Sequence, residues 1–158
     1  MPDEQAGQPR ETVLKGIGVS PGVAVGRTFL VTKEDERIVE RTISDDEIPR
    51  EIARFEDALI NTRSQIHGIQ QKVSQAIGQE SASIFDAHLL VVDDRSFVEE
   101  VIRGLSAQKK NVEVVLSLVA ERYAQALAEL EDDYLRERAA DVRDVTRRVL
   151  RNLSGRST

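Results

Sequence analysis

The chain has 158 residues, 40% apolar and 32% charged, which is a globular balance with enough length for one domain and a sizeable core. Aromatic residues make up only 4%, with no tryptophan, which disfavours a β-sandwich or an aromatic-stacking nucleic-acid module. A net charge of −6 and a pI near 5.1 disfavour nucleic acid and anionic membranes and suit a basic protein partner, and the absence of cysteine excludes disulfides, thiol catalysis and thiolate metal sites.

Residues 1–12 mix Pro, Gly, Gln and charges without a period and read as a disordered leader, not a signal peptide. No apolar run approaches the ~18 residues of a membrane helix. With the lack of cysteine, this makes a cytoplasmic location the expectation.

Residues 13–43 read as a short β-ribbon and linker. The stretch 14–31 is β-branched and glycine-rich, and Pro21-Gly22 at its middle suits a type II turn between two strands. Its glycines, at 16, 18 and 22, are spaced G-x-G-x-x-x-G with no helix opening after them, so they are not a dinucleotide fingerprint. A two-stranded ribbon is marginal alone, and the rest of the chain supplies no sheet for it to join. Lys33 to Glu36 form a charged turn, and Ile38 to Ile43 one more short extended piece.

From Ser44 the period becomes helical. Ile48, Ile52, Phe55, Leu59, Thr62, Ile66, Ile69, Val73 and Ala76 recur at spacings of three and four, the stripe of a long amphipathic helix. Ser44 with Glu47 reads as a capping box, but Pro49 conflicts with so early a start, and Asp46 is the alternative. Gly78 ends the helix, and His67, off the stripe, is solvated.

The helix expected over 79–92 is apolar on two sides. Phe85, Leu89 and Val92 share one face at about 100° per residue, while Ile84, Ala87 and Val91 form a second, roughly opposite Asp86. His88 lies between them. One face can line a bundle core; the surplus face implies deeper burial or docking. Asp93-Asp94 then caps a helix from Phe97 to Leu105, with Gly104 near its end. Asn111 caps the next, whose face carries Val112, Val115, Leu116, Val119, Tyr123, Ala126, Leu127 and Leu130. Asp132-Asp133 caps the last, Tyr134 to Leu153, with Leu135, Ala139, Val142, Thr146, Val149 and Leu153 in its stripe. The acidic pairs at 45–46, 93–94 and 132–133 all precede apolar-periodic runs, so helix capping accounts for them better than metal binding. Arg138 falls inside the last apolar stripe, near Val145 and Val149, and must snorkel, pair with an acid such as Asp141 or point at a partner. The fold expected over 44–155 is mainly α: an antiparallel four-helix bundle with one broken helix, the break falling near Asp93-Asp94.

The segments Leu-Lys-Gly-Ile-Gly-Val-Ser-Pro-Gly-Val-Ala-Val-Gly (14–26), Ser-Ile-Phe-Asp-Ala-His-Leu-Leu-Val-Val-Asp-Asp (83–94) and 130–153 together resemble, in order and spacing, the opening of Enzyme I of the bacterial phosphoenolpyruvate-dependent phosphotransferase system. The resemblance implies that 44–155 is the bundle on which a histidine phosphocarrier protein docks. It implies that the orphan strands belong to a phosphohistidine domain completed by the remainder of Enzyme I. The family's phosphorylated histidine lies in a Gly-Gly-x-x-Ser-His type segment that neither His67 nor His88 matches. The barrel that binds phosphoenolpyruvate and Mg²⁺ has no counterpart here, so no catalytic residue and no cofactor is expected in this chain, and no phosphoryl transfer by it alone.

The partner-binding residues implied are Glu80, Ser83, Ile84, Asp86, Ala87, His88, Val91 and Arg138; Gln79 departs from the acid that some family members carry there. Two other readings stand beside docking. One is a self-associating structural bundle that hides the same apolar face. The other is an enzyme that uses His88 as a phosphoryl acceptor or general base, which its mid-helix position disfavours because the neighbouring backbone amides are already bonded.

Overall fold

The computed structural model describes residues 12–27 and 38–155. The chain divides into two compact units, Met1–Glu34 and Asp35–Thr158. In the first, residues 12–27 carry no strand pairing; the backbone bends at 20–22, and Gly22 takes the positive φ (123°) that the Pro21-Gly22 turn demands. The expected β-ribbon is therefore not paired among the described residues, and its last part (28–31) and the charged turn at 33–36 lie outside them. Val13, Ile17, Val19, Val23 and Val25 are all exposed, as an extended segment without a sheet leaves them.

The second unit is helical: α1 Ile48–Ile77, α2 Gln79–Ala82, α3 Ile84–Val92, α4 Arg95–Gln108, α5 Val112–Ala128 and α6 Asp133–Leu153. α1 begins at Ile48, later than either Ser44 or Asp46, which puts Pro49 in the first turn, where no amide is needed. Half of the capping box survives as a turn: the Glu47 carboxylate accepts from the Ser44 amide and hydroxyl, both at 2.9 Å. The expected stripe buries Phe55, Leu59, Thr62 and Ile66, whereas Ala76 is exposed near the helix end. α1 ends at Gly78, whose φ of 100° suits glycine.

The helix expected over 79–92 is two pieces. Its break is at Ser83, whose amide and hydroxyl both turn back onto the Glu80 carbonyl, at 3.3 and 2.7 Å, tightening the chain into a three-residue turn. The second break falls where expected, with Asp94 accepting the Phe97 amide at 2.9 Å as the cap of α4. α4 does not stop at Gly104. It runs to Gln108, and Gly104 serves instead as a close-approach position, since a Cβ there would meet Val115 Cγ1 of α5 at 2.6 Å. The extended piece at 38–43 pairs with the α4–α5 connection through Ile43 N–H to the Lys109 carbonyl and Asn111 N–H to the Arg41 carbonyl, both at 2.9 Å.

α6 packs on α5, α1 and α3, and α4 on α5, around Phe55, Ile66, Val101, Leu105, Val112, Val115, Leu116 and Val149, all fully buried. Each such side chain contributes roughly 1.5–3 kcal/mol of burial free energy. Asn111 stands at the cap position of α5 but makes no side-chain cap; its amide group holds 38–43 instead. The cap comes from Glu51 of α1, 2% exposed, whose Oε2 accepts the Val112 amide at 2.9 Å while its carboxylate also takes Arg41 and Arg54. Asp132 caps α6 by accepting the Leu135 amide at 3.1 Å. The pair at 45–46 does not cap α1, whose cap position is Glu47 with no side-chain cap bond; Asp45, like Asp93 and Asp133, is in an ion pair, these three with Lys109, Arg63 and Arg136.

Candidate docking groove

The two apolar faces of α3 have different fates. Val92 is buried, and Phe85 and Leu89 pack against the core, as expected of a bundle helix. On the other side Ala87 is buried and Val91 half-buried, while Leu90 and Ile84 remain 66% and 63% exposed.

Ala87, Leu90 and Val91 form one wall of an open groove of about 730 Å³. The start of α4 contributes Asp94 and Phe97. The last turns of α5 contribute Tyr123, Ala126 and Leu127, and the α5–α6 connection contributes Leu130. Tyr134, Leu135, Arg138 and Val142 of α6 close it. The lining is mostly apolar, and its charged members are Asp94, Arg122 and Arg138. Phe97 and Tyr123 stack edge to face at 5.3 Å, fixing that part of the lining. Burial, with the Glu100 carboxylate beside it, pushes the Tyr123 phenol above its ordinary range and keeps it neutral.

Arg138 is held from two sides. Its Nη2 donates to the Tyr134 hydroxyl, its Cζ stands 4.5 Å from the centroid of that ring, and Nη1 reaches Asp141 Oδ2 at 3.4 Å. The pairing expected from the sequence thus forms, at the long end of hydrogen-bond range. The other Asp141 oxygen lies 3.3 Å from His88 Nε2, so α3 and α6 share one carboxylate at the groove edge. The His88 ring meets Phe85 edge to face at 5.8 Å. His67 is exposed.

The residues implied by resemblance therefore divide. Ala87, Val91 and Arg138 line the groove, and His88 adjoins it through Asp141. Ser83 and Asp86 line a separate polar hollow with Gln70, Gln71, Ser74, Gln75 and Gln79, where Gln70 donates to Asp86 at 2.7 Å. Glu80 and Ile84 are exposed outside both. Leu90 and Tyr134, which the periodicity does not single out, also line the groove, as do Leu130 and Leu135, which the sequence pattern places on apolar helix faces. Leu90 had a usable signal, three residues after Ala87 on the same face.

Among the described residues no group of three His, Asp or Glu side chains is gathered where a metal ion could be held. No described helix is long and apolar enough to cross a membrane.

The helical unit thus carries an apolar groove with the restrained Arg138 in its lining and His88 joined to the same Asp141 carboxylate. Residues 15–138 match the family model described as PEP-utilising enzyme, N-terminal, and the chain belongs to that family. It is 35% identical over 90% of its length to a phosphoenolpyruvate-protein phosphotransferase of Haemophilus influenzae, and 34% identical over 90% to one of Bacillus subtilis. It spans about a quarter of the length of each of these relatives. Among solved structures it is similar to an Enzyme I protein determined by NMR, with a TM-score of 0.77 and 38% identity over 86% of this chain and 55% of that one. It also shares the fold of the N-terminal domain of Enzyme 1 - Nitrogen, with a TM-score of 0.68 over 78% of this chain and 50% of that one. What the chain has in common with Enzyme I is thus the N-terminal, mainly helical region.

Proposed function

We propose that residues 44–155 form a four-helix bundle, with α2 to α4 as its one broken helix, that docks a histidine phosphocarrier protein for phosphoryl transfer within Enzyme I. The observation that carries this is the groove: about 730 Å³ of apolar concavity, open to solvent, on a protein of net charge −6. An apolar centre supplies affinity, and the chain's net charge of −6 steers a partner with a basic face, raising the on-rate more than the affinity. Ala87, Val91 and Arg138 meet the partner's centre. His88, Ile84, Ser83, Asp86 and Glu80 meet its flank. Such a transient pair buries about 1,200 Å² or less.

Residues 13–43 belong, in this reading, to a phosphohistidine domain whose sheet the remainder of Enzyme I completes, with the N-terminal segment as a ribbon of that sheet. The phosphorylated histidine and the Mg²⁺- and phosphoenolpyruvate-binding barrel lie in that remainder, so this chain alone is inactive in phosphoryl transfer. The setting is cytoplasmic, in sugar uptake.

The test is an NMR titration of the labelled chain with an unlabelled histidine phosphocarrier protein. Fast-exchange shifts centred on Leu90, Val91, Leu135 and Arg138 are expected. No shift at millimolar carrier overturns the proposal. A concentration-dependent dimer whose interface contains Leu90 and Leu135 replaces it with self-association.

A further inference from the structure

We infer that Tyr134 is a positioning residue that presets Arg138 for the incoming partner, an inference that rests on the docking reading above. Tyr134 lies in the first turn of α6, four residues before Arg138, so its side chain lies on the same helical face. Its hydroxyl accepts from Arg138 Nη2, and its ring lies under the guanidinium, with 4.5 Å from Cζ to the centroid. Asp141, three residues beyond, restrains the opposite edge at 3.4 Å. An arginine has several rotatable bonds, and most arginines at a protein surface sample many rotamers. This one is clamped between a ring and a carboxylate before any partner arrives.

The clamp leaves the guanidinium partly exposed. The Arg138 side chain keeps 23% of its exposure, and Tyr134 is 60% exposed, so the fold does not need the ring where it is. What the ring achieves is orientation. Both residues line the groove. Freezing one rotamer-rich side chain on association weakens binding by about two- to tenfold, and presetting it removes that loss. Tyr134 therefore sets carrier affinity through Arg138, in addition to any contact of its own.

The experiment is a double-mutant cycle on carrier binding, read by NMR titration, with Tyr134→Leu, Arg138→Gln and the pair. Tyr134→Leu is expected to weaken binding about two- to tenfold, and to add almost nothing once Arg138 is glutamine. Tyr134→Phe, which keeps the ring and loses the hydroxyl, should fall between wild type and Tyr134→Leu. A loss from Tyr134→Leu that persists in full in the Arg138→Gln background makes Tyr134 a direct contact only and overturns the inference. Failure of the wild-type chain to bind overturns the docking reading itself. A partner-free measurement separates the two: ¹⁵N relaxation at Arg138 Nε should show an ordered side chain that becomes mobile in Tyr134→Leu. Equal mobility in both rejects the clamp whatever the carrier does.

Discussion

Glu51 of α1 accepts the Val112 amide of α5 at 2.9 Å through Oε2, across 61 residues of chain. The same carboxylate takes Arg54 at 2.8 Å and Arg41 at 2.9 Å, and Arg54 goes on to Glu113 and to the Leu153 carbonyl at the end of α6. One buried acid thus ties together α1, α5, α6 and the extended piece before α1. Glu51→Ala strips the cap from α5 and leaves the half-buried Arg54 with one carboxylate partner fewer. It should lower stability by about 3 kcal/mol in urea unfolding at pH 7. Glu51→Gln, which still offers an oxygen to Val112, should lose less. A loss below about 1 kcal/mol for the alanine variant would show that water replaces the network at little cost.

The turn before α1 makes stability depend on pH. Hydrogen bonds from the Ser44 amide and hydroxyl, then from Arg41, hold the Glu47 carboxyl down to about 2 from an ordinary 4.5. Glu113 is lowered too, against the effect of its burial, by its own backbone amide, Arg54 and Asn111, and Glu121 by Arg143. In each the unfolded chain binds the proton more readily than the folded one. Their stabilisation is therefore complete above the ordinary carboxylate range and lost as pH falls through the folded values. For Glu47 the window runs from about 4.5 down to about 2. Urea midpoints should drop across it, and Glu47→Gln should be less stable than wild type at pH 6 and converge with it near pH 2. A constant gap between the two across that window would contradict the assignment.

Gly104 lets α4 and α5 approach closely. An added methyl would stand 2.6 Å from Val115 Cγ1, on a fully buried side chain that has nowhere to turn. Gly104→Ala therefore destabilises by about 1–3 kcal/mol, although alanine is the better helix former. Val115→Ala makes room for the methyl, so the double variant should be more stable than the sum of the two losses predicts. Additive losses would mean that the helices separate rather than clash.

The period of apolar residues gave α1, α5 and α6 nearly whole, because a helix that buries one stripe must repeat it in sequence. The caps at Asp94 and Asp132 were legible for the same local reason. Glu51 was not. It lies one residue before Ile52 and reads as a solvated charge, and only the fold brings Arg41, Arg54 and Val112 around it. Gly104 reads as a stop signal when no neighbouring helix is in view, and Ser83 gives no hint that it divides α2 from α3. At the groove, Arg138 and Val91 could be singled out from one helix each. Leu130 and Leu135 could not, since a stripe position says that a residue faces inward but not where the neighbouring helices stop covering it.

Leu90 and Ile84 offer a matched pair for locating the docking centre. Both are on α3, and they are 66% and 63% exposed, so aspartate at either position should leave the fold intact. Leu90 lines the groove, whereas Ile84 lies beyond it. Binding energy concentrates in the desolvated centre of an interface and is small at its rim. Leu90→Asp should therefore weaken carrier binding at least about tenfold, and Ile84→Asp by no more than about threefold, in the same NMR titration with the backbone spectrum as a folding control. The reverse order would move the centre of the surface off the groove, toward the face of α3 that carries Ile84 and the polar hollow around Asp86.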